Sequence, residues 1–234
     1  MGGKGRFRPA RRQGMPRGLV RIGRTLFPGR EADAFPGAPC TAESLLYPFD
    51  WAARTDGDIA PGIISLIRAA VPSCSAAVRR DIAQWPFFRT FLEGRARIAR
   101  LLTLMHEAEL LGVVLPEFEP LTCFAHFDYV HEYTVDSHVL LALWEFEDIE
   151  RDPDSRFHPL AVQMKSRAAF RLAALLHDCA KPLDGDHSVI GAQMARSACG
   201  RFGFSEEEAD FVEFLVREHL ILSVAVRHRD MADA

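Results

Sequence analysis

A histidine and an aspartate stand side by side, His177-Asp178, at the end of the apolar run Leu172-Ala173-Ala174-Leu175-Leu176. On a helix, Ala173, Leu176 and Ala180 share a face with His177, while Ala174 and Leu175 lie beneath Asp178. Both polar side chains therefore belong to a helix buried on most sides. Burying a lone carboxylate costs several kcal/mol unless a cation or dense hydrogen bonding compensates. A divalent metal satisfies imidazole and carboxylate together; a structural His-Asp pair bonded to nearby backbone is the other reading of these two residues. Three further histidines have apolar neighbours at helical spacing: His138 before Val139-Leu140-Leu141-Ala142, His187 before Val189-Ile190, and His219 on the Val212/Leu215/Val216 stripe. Each alone reads as a core histidine. Four on successive helices can converge on one internal cavity, as metal sites in helical bundles do. Nitrogen and carboxylate donors suit zinc, iron, manganese or cobalt rather than calcium.

The elements that must position these residues read as all-α. From about residue 44 the chain alternates helical stripes with Gly and Pro punctuation, and sustained period-two patterning is absent. Pro61 opens a helix expected to end before Pro72, a second begins near Ser75, and Pro86 breaks it. Ile98, Leu101, Leu102, Met105 and Ala108 then repeat at helical spacing up to Gly112, with Pro116 marking the exit. Residues 113–134 form an irregular connection. Thr134 can cap a helix to about Glu150 that opens with Asp136 and His138. Another long helix follows Pro159 and carries His177-Asp178, and the Asp184-Gly185-Asp186 turn separates it from one starting near His187, which Gly200 and Gly203 close. Ser205 with Glu208 forms a capping box for the helix that bears His219. Roughly seven helices result.

Composition bounds the rest. The chain has 234 residues, a net charge of −4, 48% hydrophobic residues and 26% charged ones, ordinary for a globular protein. No uninterrupted apolar run reaches the roughly 20 residues of a membrane span, so no membrane is expected. The five cysteines, Cys40, Cys74, Cys123, Cys179 and Cys199, form no C-x-x-C pair, which indicates neither a zinc knuckle nor a disulfide framework and fits a reducing cytoplasm. Residues 1–30 hold nine of the 28 basic residues and no acid. Residues 1–40 accordingly read as a basic, disordered arm without the apolar stretch of a secretory signal. Met15 is an alternative start within it. With Phe7 the sole aromatic among the arginines of its first 20 residues, the arm reads as solvated rather than as a nucleic-acid binder.

The order His138 … His177-Asp178 … His187 … His219 resembles the HD superfamily of metal-dependent phosphohydrolases. The similarity extends to Leu104-Met105-His106, Gly112, Leu115-Pro116-Glu117-Phe118, Phe127-Asp128, His131-x-Tyr133-Thr134-Val135-Asp136-x-His138, His158-Pro159-Leu160, His177-Asp178-x-Ala180-Lys181, Gly185-Asp186-His187-Ser188, Gly191-Ala192 and Leu215-Val216-x-x-His219-Leu220. Together these resemble the central region of the bifunctional uridylyltransferase and uridylyl-removing enzymes that modify the nitrogen-regulatory PII protein, over about residues 44–230.

The resemblance implies an HD helical bundle over 126–234, short at its C-terminal end, preceded by a small helical linker region over 44–125. It implies a cytoplasmic hydrolase that removes a uridylyl group by cleaving a nucleotidyl phosphodiester, acting on a nucleotidylylated PII-like protein or a small nucleotide. By position, His138, His177 and Asp178 match the first ligands of a divalent metal (Mn, Fe, Co, Zn or Mg), and His187 and His219 match histidines used for a second. Asp178 and Lys181 match the catalytic pair, Lys181 as a point charge against developing phosphate charge. A solvated lysine at a helix C-terminus is the plainer reading of Lys181. His131, ahead of the Thr134 cap, reads as a packing or supporting residue. Pro182 stands where a glycine is usual, removing an amide donor. The family pattern ends in a further aspartate on a later helix; Asp230 is not expected to be that ligand. The nucleotidyltransferase and ligand-sensing domains of the resembled enzymes are not expected in a chain of this length. A degenerate HD module with an interaction or regulatory role is the alternative to catalysis.

Overall fold

A computed structural model describes residues 15–32, 35–37, 40–82, 87–124 and 134–221. Ten α-helices among these residues carry the fold: α1 Ala42–Thr55, α2 Pro61–Ile82, α3 Phe87–Leu92, α4 Ile98–Glu107, α5 Leu111–Val114, α6 Val135–Arg151, α7 His158–Val162, α8 Arg167–Leu176, α9 His187–Phe202 and α10 Glu206–Arg217. A 3-10 turn, Pro116–Leu121, leads toward α6. The all-α expectation holds, with one small addition.

That addition lies inside the stretch expected to be a disordered arm. Strands β1 (Leu19–Ile22) and β2 (Thr25–Pro28) form an antiparallel hairpin, and β2 pairs in parallel with β3 (Asp58–Ile59), Leu26 opposite Ile59. Leu26 is fully buried, so this segment docks on the helices rather than standing away from them. Strands this short, interrupted by Arg21, Gly23 and Arg24, present too few alternations to be read as strands. Residues 1–14, the rest of the basic arm apart from a few positions, lie outside the described residues.

Helix α2 corrects a second expectation, because it runs unbroken through Pro72. Ile63, Ile67, Val71, Cys74 and Val78 form one buried stripe that keeps its phase across the proline, while Pro72, Arg68 and Ala69 face solvent. The carbonyl left unbonded by the missing N–H is thus on the wet side, where water satisfies it. By length and composition, Pro61–Arg80 is apolar enough to cross a membrane, against the expectation from uninterrupted runs. Its stripe is nonetheless part of the core shared with α1, α4 and α5. Cys74 on that stripe is joined to Cys40 by a disulfide, with Cα atoms 5.8 Å apart, which goes against the reading of the cysteines as fitting a reducing cytoplasm. A separation of 34 residues says nothing about proximity; the fold brings the segment before α1 onto α2.

Three helices end or divide differently from the spacing. Glu109, with φ 57°, turns the chain after α4, so Gly112 lies inside α5 instead of ending α4. The helix expected after Pro159 is two, α7 and α8, since Ser166 caps α8 by accepting from the Ala169 amide. Helix α8 stops at Leu176, leaving His177 as its C-cap and Asp178 in the turn that follows. The α9–α10 hairpin forms with Gly203, at φ 71°, closing α9 as expected and Ser205 and Glu208 forming the capping box of α10, while Gly200 lies inside α9 rather than closing it and Asp186 caps its start. Helix α10 packs on α9 and α8, and α8 also packs on α6, which rests on α4.

Candidate metal centre

Four elements end at one place. Helix α6 delivers His138 in its first turn, α8 delivers His177 and Asp178 at its last, α9 begins with His187, and His219 follows α10. The ends of helices are where side chains can point along the axes into a shared space, and all five expected residues do so.

Asp178 is the hub. Its side chain is 2% exposed. His177 Nε2 lies 3.1 Å and Lys181 Nζ 2.8 Å from Oδ2, His138 Nε2 is 3.9 Å from the same oxygen, and His219 Nε2 is 3.5 Å from Oδ1. The imidazoles approach edge to face, with ring centroids 5.4 Å apart for His138 and His177, 5.2 Å for His177 and His219, and 5.5 Å for His187 and His219. The donor atoms form two groups, His138–His177–Asp178 and Asp178–His187–His219, each with its atoms within 4.8 Å of one another. The cluster is therefore two overlapping sets that share one carboxylate, divided as the resemblance implied into His138, His177 and Asp178 on one side and His187 and His219 on the other.

The hydrogen bonds around the cluster orient its nitrogens. His177 Nδ1 is 2.8 Å from the Ala174 carbonyl and His219 Nδ1 is 2.7 Å from the Val216 carbonyl. A carbonyl only accepts, so Nδ1 carries the hydrogen in both rings, and in the neutral ring Nε2 presents a bare lone pair to Asp178. Lone pairs facing a carboxylate repel unless a proton or a cation lies between them. Burial alone would raise the Asp178 carboxyl, but His177, His219 and Lys181 outweigh it and hold it well below the usual carboxylate range. Burial pushes His187 down, keeping it neutral, whereas for His219 the pull of burial is overcome by Asp178 and the Val216 carbonyl, which raise it.

Asp178 Oδ1, His187 Nε2 and His219 Nε2 are buried polar atoms with no hydrogen-bond partner. They are also the whole of the second group. Buried polar atoms are seldom left unsatisfied, and three converging ones of this chemistry fit a divalent cation. His138, 39% exposed, marks the side on which the cluster opens to solvent.

Lys181 is neither solvated nor aimed outward: it is 14% exposed and bonded to Asp178. His187 is set in place by the start of α9, where Asp186 accepts from the Ser188 and Val189 amides. Gly185, at φ 112°, makes the turn that brings it there. His131 and Asp230 lie outside the described residues. Sequence reasoning missed Glu147 and Arg171, the buried charges that set α6 against α8. Their signal was indistinguishable from that of solvent-facing charges on amphipathic helices.

A family model for the HD domain matches residues 135–233, the segment that contains His138, His177, Asp178, Lys181, His187 and His219. Relatives named bifunctional uridylyltransferase/uridylyl-removing enzyme are similar over most of this chain. The protein of Novosphingobium aromaticivorans is 37% identical over 189 residues, 79% of this chain and 21% of the relative. That of Cereibacter sphaeroides is 36% identical over 194 residues, 81% and 21% respectively. That of Erythrobacter litoralis is 38% identical over 160 residues, 67% and 17%. The chain thus spans about a fifth of the length of the curated relatives it matches. Residues 135–233 of this chain match the HD-domain family model, and the chain is similar to one stretch of these longer enzymes.

Proposed function

We propose that the chain is a metal-dependent phosphohydrolase that cleaves a nucleotidyl phosphodiester, with His138, His177, Asp178, His187 and His219 as ligands of a divalent cation (Mn, Fe, Co, Zn or Mg). The observation that carries this reading is the convergence of three unsatisfied buried donors, Asp178 Oδ1, His187 Nε2 and His219 Nε2, from three different segments. When bound, such a cation supplies Lewis acidity toward a phosphoryl oxygen and acidifies water to a pKa of about 7.

The protein's own part is preorganisation. The Ala174 and Val216 carbonyls fix the ring orientation of His177 and His219 and leave Nε2 as the donor. Burial keeps His187 unprotonated, so its lone pair is available at neutral pH. Lys181, paired with Asp178 at 2.8 Å, brings a cationic side chain to the cluster, against which phosphate charge can develop during cleavage. The relatives' names include a uridylyl-removing activity, which supports a nucleotidylylated PII-like protein, or a small nucleotide, as substrate.

The test is hydrolysis of bis(p-nitrophenyl) phosphate by the purified chain with Mn2+, Co2+ or Zn2+. Turnover that is abolished by chelator and by Asp178→Asn supports the reading. Metal binding without turnover on this ester or on a uridylylated protein would instead establish an HD module with a non-catalytic role. Absence of both would overturn the metal centre.

A further inference from the structure

Asp136 lies two residues before His138 and belongs to neither donor group among the described residues. It is nevertheless 3% exposed, one of three buried acidic residues among the described residues. Oδ2 accepts from the Cys123 amide at 2.9 Å and from His106 Nε2 at 3.1 Å, and Oδ1 accepts from the Ser137 amide at 2.8 Å. A carboxylate accepts only, so the His106 hydrogen is on Nε2, and the ring is steadied edge-on against Phe118 at 5.5 Å.

These bonds tie three parts of the chain together. His106 is the last turn of α4, Cys123 follows the 3-10 turn with φ 57°, and Asp136 and Ser137 are the first turn of α6. Beside them, the Val135 amide donates to the Phe124 carbonyl at 3.0 Å. Thr134, the N-cap of α6, makes no side-chain bond to the backbone amides it would ordinarily cap. The start of α6 is therefore held from outside the helix, through Asp136.

We propose that Asp136, supported by His106, is the positioning residue for His138. Two residues along a helix is a rotation of about 200°, so the side chain gripped by α4 and the Cys123 turn faces away from the one offered to Asp178. Locking one fixes the rotation of the first turn and hence the reach of the other. Sites of this kind lose function when a supporting shell lets a ligand drift by about 0.5 Å or 10–20°. The inference rests on the metal-centre reading above.

A double-mutant cycle tests it, with Mn2+ alone as the probe, titrated calorimetrically into the full chain. Asp136→Ala is expected to weaken Mn2+ binding about 10–100-fold, and Asp136→Asn, which keeps one oxygen for the Cys123 amide, to weaken it less. In a His138→Ala background the same Asp136→Ala change is expected to alter the dissociation constant by less than about twofold, because its effect passes through the missing ring. Equal losses in both backgrounds, or a lowered melting temperature with unchanged Mn2+ affinity, would overturn the proposal. Where Asp136→Ala does not fold, His106→Ala in the same cycle gives the same reading. Unchanged binding in His138→Ala alone would overturn the role of His138 as a ligand, a failure distinct from that of Asp136.

Discussion

Glu147 on α6 and Arg171 on α8 meet at 2.9 Å with 0% and 1% of their side chains exposed. Next to them, Phe146 and Phe170 pack with ring centroids 4.2 Å apart, so two successive residues of one helix grip two successive residues of the other. Arg171 also donates to the Leu92 and Gly94 carbonyls at 2.7 and 2.8 Å, and Glu147 accepts from the Ile98 amide at 3.0 Å, capping the start of α4. Burial pushes Glu147 up and Arg171 down, and each offsets the other's shift. From this anchor His138 lies nine residues back along α6 and His177 six residues on along α8, about 14 and 9 Å of helix rise, so the pair sets the register in which the two histidines meet.

Removing one partner leaves a buried charge and several orphaned backbone groups. Arg171→Met is expected to destabilise the fold by about 3–5 kcal/mol, read as a lowered urea midpoint with little change in the slope. A loss below about 1 kcal/mol, the scale of an exposed pair, would mean that the pair is not buried as described.

Leu26 gives the hairpin a measurable weight. Leu26→Ala is expected to cost about 2–5 kcal/mol, as for other fully buried leucines, and deletion of residues 1–28 to lower the melting temperature. A deletion variant as stable as the full chain would show that the hairpin does not dock.

Acid should loosen the seat of α8. Glu208 accepts from Arg89 on α3, from Ser166 at the start of α8 and from the Ser205 amide, at 2.9, 2.9 and 3.0 Å. Burial works to raise its carboxyl, but these donors hold it at about 2. A carboxyl depressed in the folded state contributes stability above its unfolded value near 4.5 and loses it as pH falls toward 2. With solvent screening the contribution is about 1 kcal/mol. Stability measured from pH 6 to 2 should fall less steeply in Glu208→Gln; identical pH profiles would contradict this.

The candidate metal ligands were the most legible part of the molecule, and for a physical reason. His177-Asp178 closing an apolar run and three histidines on apolar stripes are costly unless they share a purpose, and that cost is written in the sequence. His187 was less so, because its place depends on the Gly185 turn and the Asp186 cap acting together. Glu147 and Arg171 left no trace, since a charged residue on a helix reads as solvent-facing until its partner helix is known. The hairpin was hidden by its four-residue strands, and the Cys40–Cys74 pair by its separation. Pro72 misled because its lost hydrogen bond and its ring fall on the exposed face of α2, so the buried stripe keeps its phase across it.

Binding of metal should show in stability as well as chemistry. A ligand at 100 times its dissociation constant stabilises the folded state by about 2.7 kcal/mol, so added Mn2+ is expected to raise the melting temperature of the natural chain and not that of Asp178→Asn. Equal shifts in both would place the bound ion elsewhere.

Asp178 and the four histidines are proposed here to hold a divalent cation. Anomalous diffraction at the zinc edge from crystals grown with Zn2+ tests it most directly. The expected result is density about 2.0–2.2 Å from an Asp178 oxygen and from Nε2 of the neighbouring histidines. A map with no anomalous density at Asp178, from a crystal that shows zinc bound elsewhere, would contradict it.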